Sequence, residues 1–321
     1  MKNCHFVSLV ALGFSVLTGE IANGHSSAKV QVARLTVLER FQLPVSEISG
    51  MAWRVNPKNG ARELLLVSDR EYALFLLPWK DGKPVPKVEK IDLRHLRTKK
   101  DKKQSQWESV FSDSTGRVII IKEHPTKVLV LSADLKTLEK TYLLSGRSKA
   151  SRESGAEGIF PLSNGHLLVV NEKDPLRVIE FGPRGGKSVG YNKNLSLEGR
   201  SKGVFLSAIQ NADSTDTNLE ELQHWDLDES SQLMLEDSSG LNATFDGQLF
   251  LLSDQKRSIG LVGDKIETAN KKIKLQKYWL LPNEIKQPEG MVFDELNRPI
   301  IALDKKKAKK DNLFILSPVF K

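Results

Sequence analysis

Cysteine is all but missing from this chain: the one residue is Cys4. It lies inside a segment with the marks of an export signal. Lys2 supplies a positive start, Phe6–Thr18 is mostly apolar, and Ala22-Asn23-Gly24 offers small residues at the cleavage spacing. A mature chain without residues 1–24 has no thiol. That excludes a disulfide, a zinc–thiolate centre and a cysteine nucleophile, so stability must come from the core. Long apolar runs are missing as well. Phe6–Thr18 is too short for a permanent span, and nothing later reaches the roughly 18 apolar residues a membrane helix needs. The expected location is periplasmic or secreted, with an uncleaved membrane anchor as the alternative. Histidine is scarce, at six residues, so a nitrogen-rich metal site is poorly supplied. The lysine runs Lys99–Lys103 and Lys305–Lys310 carry no interleaved aromatics, which argues against a stacking platform for single-stranded nucleic acid.

What is present suits a large folded core. The chain has 321 residues, 39% of them hydrophobic and 27% charged. We expect one domain over residues 25–321, without a transmembrane segment once the signal is cleaved, and monomeric. The formal net charge is +8. Lys2 and Glu20 cancel, so the mature chain keeps that charge and favours anionic surroundings: an anionic ligand or an envelope partner.

Five short stretches repeat one another. They are Glu47-Ile-Ser-Gly50, Trp107-Glu108-Ser109, Ala156-Glu157-Gly158, Ser238-Ser239-Gly240 and Pro288-Glu289-Gly290. Each is followed by an aliphatic run that ends in a carboxylate: Asp69, Glu123, Glu172, Asp254 and Asp304. From the last residue of each anchor the carboxylate comes 14 residues later in four copies and 19 in the first. Turn residues such as Asp113-Ser-Thr-Gly116 and Ser163-Asn-Gly165 stand between anchor and run. Continuous runs such as Val118-Ile-Ile-Ile121 predict strands buried on both faces. A third strand and, in several copies, a fourth follow each carboxylate.

Four antiparallel strands repeated at this period predict an all-β fold, a β-propeller of about five four-stranded blades, with six as the alternative. Anchor spacings are 59, 49, 82 and 50 residues; the long interval predicts an insertion around residues 182–236 or a sixth, degraded blade. Val30–Leu43 is strand-like and is expected to close the ring as the outer strand of the last blade, removing an exposed edge.

The first strand of each blade lines the channel of a propeller, and the second runs back to the same end. Glu108, Glu157 and Glu289 on the anchors, with Asp69, Glu123, Glu172, Asp254 and Asp304 at the strand ends, are therefore expected at one channel mouth. Crowded carboxylates raise one another's pKa unless a cation relieves them. Ca²⁺ suits such a set because it takes six to eight oxygens in irregular geometry. The same acids also serve as turn caps in a purely structural reading. His124 follows Glu123 and is a candidate base or ligand, or a solvated loop residue; Asp113 and Ser114 lie at the opposite strand end from it, which rules out a triad. Arg70, Lys173 and Lys305 follow ring acids and either bind an anion beside a metal or neutralise the ring.

These residues resemble the SdiA-regulated family of exported bacterial β-propellers. The resemblance rests on Ile48-Ser-Gly-Met51 with Leu66-Val-Ser-Asp69, Ala156-Glu-Gly-Ile159 with Val170-Asn-Glu-Lys-Asp-Pro175, Ser239-Gly-Leu241 with Leu252-Ser-Asp254, and Gln287-Pro-Glu-Gly-Met291. It implies an envelope protein with a calcium site at the channel, and it supplies no catalytic residues. A broader similarity to esterase-like phytase propellers lies in the Ser-Gly and Glu-Gly strand starts. Two functions therefore stand at this point: a non-enzymatic binding propeller with a channel Ca²⁺, and a metal-dependent hydrolase of a phosphate ester or lactone. In both, catalytic residues are unassigned.

Overall fold

Five antiparallel sheets stand radially around a channel. The computed structural model describes residues 32–85, 87–99, 101–146, 155–197, 218–306 and 310–320. The segment expected to be an export signal, with Cys4, and Lys307–Lys309 of the second lysine run lie outside the described residues. The inner strands of blades 1 to 5 are Ile48–Val55, Trp107–Ser112, Ala156–Pro161, Gly240–Ala243 and Pro288–Phe293. Each pairs with a second strand: Arg62–Ser68, Val118–Lys122, Leu167–Asn171, Leu249–Ser253 and Pro299–Leu303. The inner strands touch in the cyclic order 1-2-3-4-5-1, so the ring closes with five blades. Among the described residues no sixth sheet interrupts it.

The continuous apolar runs are explained by this arrangement. A strand inside a blade has a neighbouring blade on each face, so its alternate residues enter two different cores. Leu64 and Leu66 pack with Val292 and Ile300 of blade 5, whereas Leu65 and Val67 pack with Val110 and Val118 of blade 2. Ile301 and Leu303 likewise face Phe250 and Leu252 of blade 4, while Ile300 and Ala302 face blade 1.

Near the channel the blades approach too closely for side chains. A Cβ on Gly50 would stand 2.7 Å from Ser109 Cα of the next blade, and one on Gly158 would stand 2.7 Å from Leu241 N. Neither glycine has positive φ, so the requirement is space rather than backbone freedom.

Among the described residues, the long interval resolves into blade 3 alone. Its fourth strand, Asn218–Leu227, pairs antiparallel with Arg177–Pro183. The helix Glu229–Leu235 follows, capped by the Asp228 carboxylate accepting from Ser231 N. At the rim, Leu143–Ser145 of blade 2 pairs parallel with residues 218–220.

The N-terminal segment closes the ring. Val37–Phe41 is the outer strand of blade 5, antiparallel to Leu313–Leu316. Just before it, Val32–Arg34 runs parallel to Lys277–Leu280 of blade 4. Buried Asn312 locks the join: its Oδ1 accepts from Leu43 N at 2.7 Å and its Nδ2 donates to Val45 O at 2.8 Å.

The first lysine run differs from a purely solvated loop. Asp101 in its middle is paired with Lys122, whose side chain is buried beside Glu123, and it accepts from Thr98 N and Oγ1. That buried pair anchors the loop.

Gly158→Ala tests the close approach of blades 3 and 4. The added methyl has no room, and we expect a loss of about 1–3 kcal/mol in urea unfolding.

Candidate functional site

The inner strands begin two residues before the anchor glycine or serine in blades 1, 2, 3 and 5, earlier than the sequence pattern suggests. The reason is a bulge. Strand register slips between Ile48 and Gly50, Trp107 and Ser109, Ala156 and Gly158, and Pro288 and Gly290. The unpaired residue in each case is the anchor itself: Ser49, Glu108, Glu157 or Glu289. A bulge re-aims a side chain that the pleat would otherwise bury in the sheet.

Two residues earlier stands a second repeated device. Glu47, Gln106 and Gln287 have φ of 49°, 55° and 56°, and Gly155 has 74°. This left-handed backbone lets one residue bond two blades. Gln106 N donates to Asp69 O of blade 1 at 2.8 Å, and Gln106 O accepts from Glu123 N of blade 2 at 3.0 Å. Gln287 O accepts from Asp304 N at 2.9 Å, and Gln287 N donates to the Asp254 carboxylate of the preceding blade.

The acids named from the sequence fall within electrostatic reach of one another. Burial first, then the charges of Glu123, Asp69, Asp304 and Glu172, push Glu108 up to about 8. Glu157 is held well above the usual carboxylate range by burial and by Glu108, Glu289, Glu123 and Glu172. Glu289 is raised likewise by burial, Asp254, Asp304, Glu108 and Asp237. Asp69 rises to about 6 through burial and the charges of Asp304 and Glu123. Asp254 and Asp304 are also raised, each chiefly by burial. All three anchor glutamates keep some channel-facing surface while protein encloses their other sides. A Cβ on Gly155 would lie 2.5 Å from Glu157 Oε1 and 2.9 Å from Glu123 Oε1, so these two carboxylates flank one small gap.

The cations following the ring acids have divided roles. Lys173 pairs with Glu172 at 3.0 Å. Arg70 pairs instead with Glu47, and Lys305 donates to Asp311 O at 2.8 Å and lies 5.9 Å from the Phe314 ring centre. His124 Nδ1 stands 3.0 Å from Glu123 Oε2. The other described histidines are away from the mouth: His166 is buried against Glu180, His95 bonds Lys136 O, and His224 pairs with Glu221. At the far end of the channel, the Arg62 guanidinium lies 3.8 Å from the Trp53 ring centre and 4.6 Å from that of Phe245. This stack ties blade 1 to blade 4 past blade 5.

Sequence reasoning missed three members of the site. Asp237 is buried, accepts from Ser253 Oγ and Gln255 N, and is raised chiefly by burial and in part by Glu172. Glu47 occupies the same register in blade 1, three residues before the glycine, and Gln106 does so in blade 2. Extending the repeat by those positions aligns Glu47, Gln106, Gly155, Asp237 and Gln287. The two blades whose anchor is serine, with Ser49 bonded to Trp107 O and Ser239 to Pro288 O, carry the acid here instead. Each blade thus contributes two carboxylates.

The donors at the mouth are oxygens, which fits a hard cation. Three of them are buried acceptor atoms without a donor: Asp69 Oδ1, Asp304 Oδ1 and Gln106 Oε1. Among the described residues, no three His, Cys, Asp or Glu side chains stand in a ready-made metal cage. Like charges without a cation between them keep apart.

The profile of the family described as SdiA-regulated matches residues 93–298. No curated protein matches the sequence. Among solved structures, glutaminyl cyclase from Myxococcus xanthus is similar at 11% identity and a TM-score of 0.46, over 89% of this chain and 97% of its own. The PQQ-bound aldose sugar dehydrogenase from Streptomyces coelicolor shows 10% identity and a TM-score of 0.47, over 88% and 97%. A gluconolactonase from Xanthomonas campestris shows 12% identity and a TM-score of 0.42, over 90% of each chain.

The raised carboxyls make the stability of the ion-free protein fall with pH. Between the ordinary carboxylate range and about 8, the folded mouth holds protons that the unfolded chain has released, so each rise in pH through that window favours unfolding. In EDTA, the melting temperature should drop from pH 5 to pH 8. Glu108→Gln, which stays neutral, should flatten that slope; a melting temperature that rises across the window would contradict the assignment.

Proposed function

Because this chain belongs to the SdiA-regulated family, we propose that it is an exported, non-enzymatic binding propeller whose channel mouth holds Ca²⁺. The ion and the surrounding basic loops then face an anionic ligand or envelope partner, with the protein acting as a monomer. Export rests on the sequence of residues 1–24; among the described residues, no helix is long and apolar enough to cross a membrane.

One observation carries the calcium reading. Asp69 Oδ1, Asp304 Oδ1 and Gln106 Oε1 are buried at the mouth with no hydrogen-bond donor, near Glu108 in the fold, whose pKa burial and then the charges of neighbouring acids raise. An unsatisfied buried acceptor costs about 1–3 kcal/mol, and three of them together call for a shared positive partner. A cation satisfies all three at once and relieves the repulsion. Ca²⁺ fits better than Mg²⁺, because the donors come from separate blades and cannot all meet octahedral geometry at about 2.1 Å.

The non-enzymatic reading is supported by how the mouth's side chains are used. His124, the histidine at the ring, is engaged with Glu123. The inner-strand serines Ser49 and Ser239 donate to backbone carbonyls of the next blade, which holds them as inter-blade ties.

Calcium at about 100 times its Kd should stabilise the mature protein by about 2.7 kcal/mol, or about 4 °C in melting temperature for a chain of this size. EDTA should reverse the shift, and Mg²⁺ should give less. A melting temperature indifferent to calcium and EDTA removes the cation. Generic phosphate esters and lactones should not be turned over; a calcium-dependent turnover lost in Glu157→Gln would replace the binding role with a hydrolase.

A further inference from the structure

We propose that the cation sits off the channel axis, where blades 5, 1 and 2 meet, held by Asp304, Asp69, Glu108 and the side-chain amide oxygen of Gln106. This rests on the cation reading above and adds its location, its ligand set and a neutral ligand.

The position of Gln106 is the first argument. The residue is only 9% exposed, and its Oε1 has no donor. Its backbone bridges Asp69 and Glu123, which fixes where the side chain starts. The equivalent residue in blade 3 is Gly155. There a Cβ would point between the blade's own bulged acid, Glu157, and the strand-end acid of the preceding blade, Glu123. The same register in blade 2 directs Gln106 into the gap between Glu108 and Asp69.

The second argument is the distribution of counter-charges. Glu123 has His124 beside it and Glu172 has Lys173. Asp237 accepts from Ser253 and Gln255. Those three acids therefore have protein partners. Asp69 and Asp304 each keep a buried oxygen with no donor, and Arg70, the nearest guanidinium in sequence, is committed to Glu47. Among the described ring residues, the buried oxygens without a donor therefore fall on blades 5, 1 and 2, at Asp304, Asp69 and Gln106.

The third is the comparison within the molecule. Gln287 in blade 5 has the same left-handed backbone as Gln106 and bonds neighbouring blades in the same way, yet it is exposed. Sequence identity at this position does not make a ligand; Gln106 differs from Gln287 in being buried with an oxygen that has no donor. Four protein ligands leave two to four of the positions Ca²⁺ uses for water or an anionic ligand entering from the mouth.

The test uses the mature chain with calcium titrated calorimetrically and terbium as a luminescent calcium substitute excited through tryptophan. Gln106→Leu, close to isosteric, should weaken calcium binding at least ten-fold, while Gln287→Leu should change it less than two-fold. Gln106→Glu keeps an oxygen at the position and should bind at least as tightly as wild type, which guards against misfolding of the leucine variant. Trp107 lies between Gln106 and Glu108 in sequence, so Trp107→Phe should remove most of the sensitised terbium emission without altering affinity. If wild type binds neither ion, the cation reading itself fails. If wild type binds but the two leucine variants behave alike and emission survives Trp107→Phe, the ion lies elsewhere in the ring. The off-axis placement then falls while the cation reading stands.

Discussion

Like charges are forced together at one end of this molecule, and the apolar contacts between blades are what hold them there. Each sheet brings two carboxylates toward the channel, and each sheet is wedged between neighbours by strands with aliphatic residues on both faces. Leu65 cannot leave the blade 1–2 core without moving Leu64 and Leu66 in the blade 5–1 core. Repulsion at the mouth therefore cannot relax by splaying one sheet. It is met locally instead, by proton uptake at Glu108 and Asp69. Glycines at the narrowest contacts, together with Asn312 at the seam, keep the ring tight enough for this to hold.

Much of this architecture is legible in the sequence, because a repeat writes its geometry into fixed spacing. Fourteen residues from Gly158 to Glu172 is one turn out along an inner strand and one return, and the same distance recurs in four blades. That spacing is why a carboxylate recurs at the end of the second strand in each of those blades. The supporting layer was less legible. Asp237 and Gln106 act through a bulge and a left-handed backbone, and neither leaves a hydrophobic pattern. The outer strand of blade 3 lies 35 residues beyond its partner and begins with Asn218-Leu-Glu-Glu, a charged stretch that does not read as a strand. Asp101 sits within a lysine run and looks solvated; its burial depends on Lys122, 21 residues away and in another element.

Charge is sorted by location as well as by sign. The chain is basic overall, and many of its acids face the channel mouth, so the outer surface is more cationic than the net charge of +8 suggests. A positive exterior around an acidic well attracts anions to the surface and repels them at the mouth. Away from the acidic mouth, Arg62 stacks between Trp53 and Phe245.

The seam in blade 5 joins residues 37–41 to residues 313–316. Closing a loop of that span has a large entropic cost, and topologies dominated by such distant pairings fold slowly. A chain emerging N-terminus first carries Val37–Phe41 as an orphan edge until the last strands arrive. During that interval, an identical segment from a second molecule is as good a partner as its own. Folding of this protein should therefore be sensitive to local crowding of nascent copies, and intertwined pairs exchanging that one strand are the natural by-product.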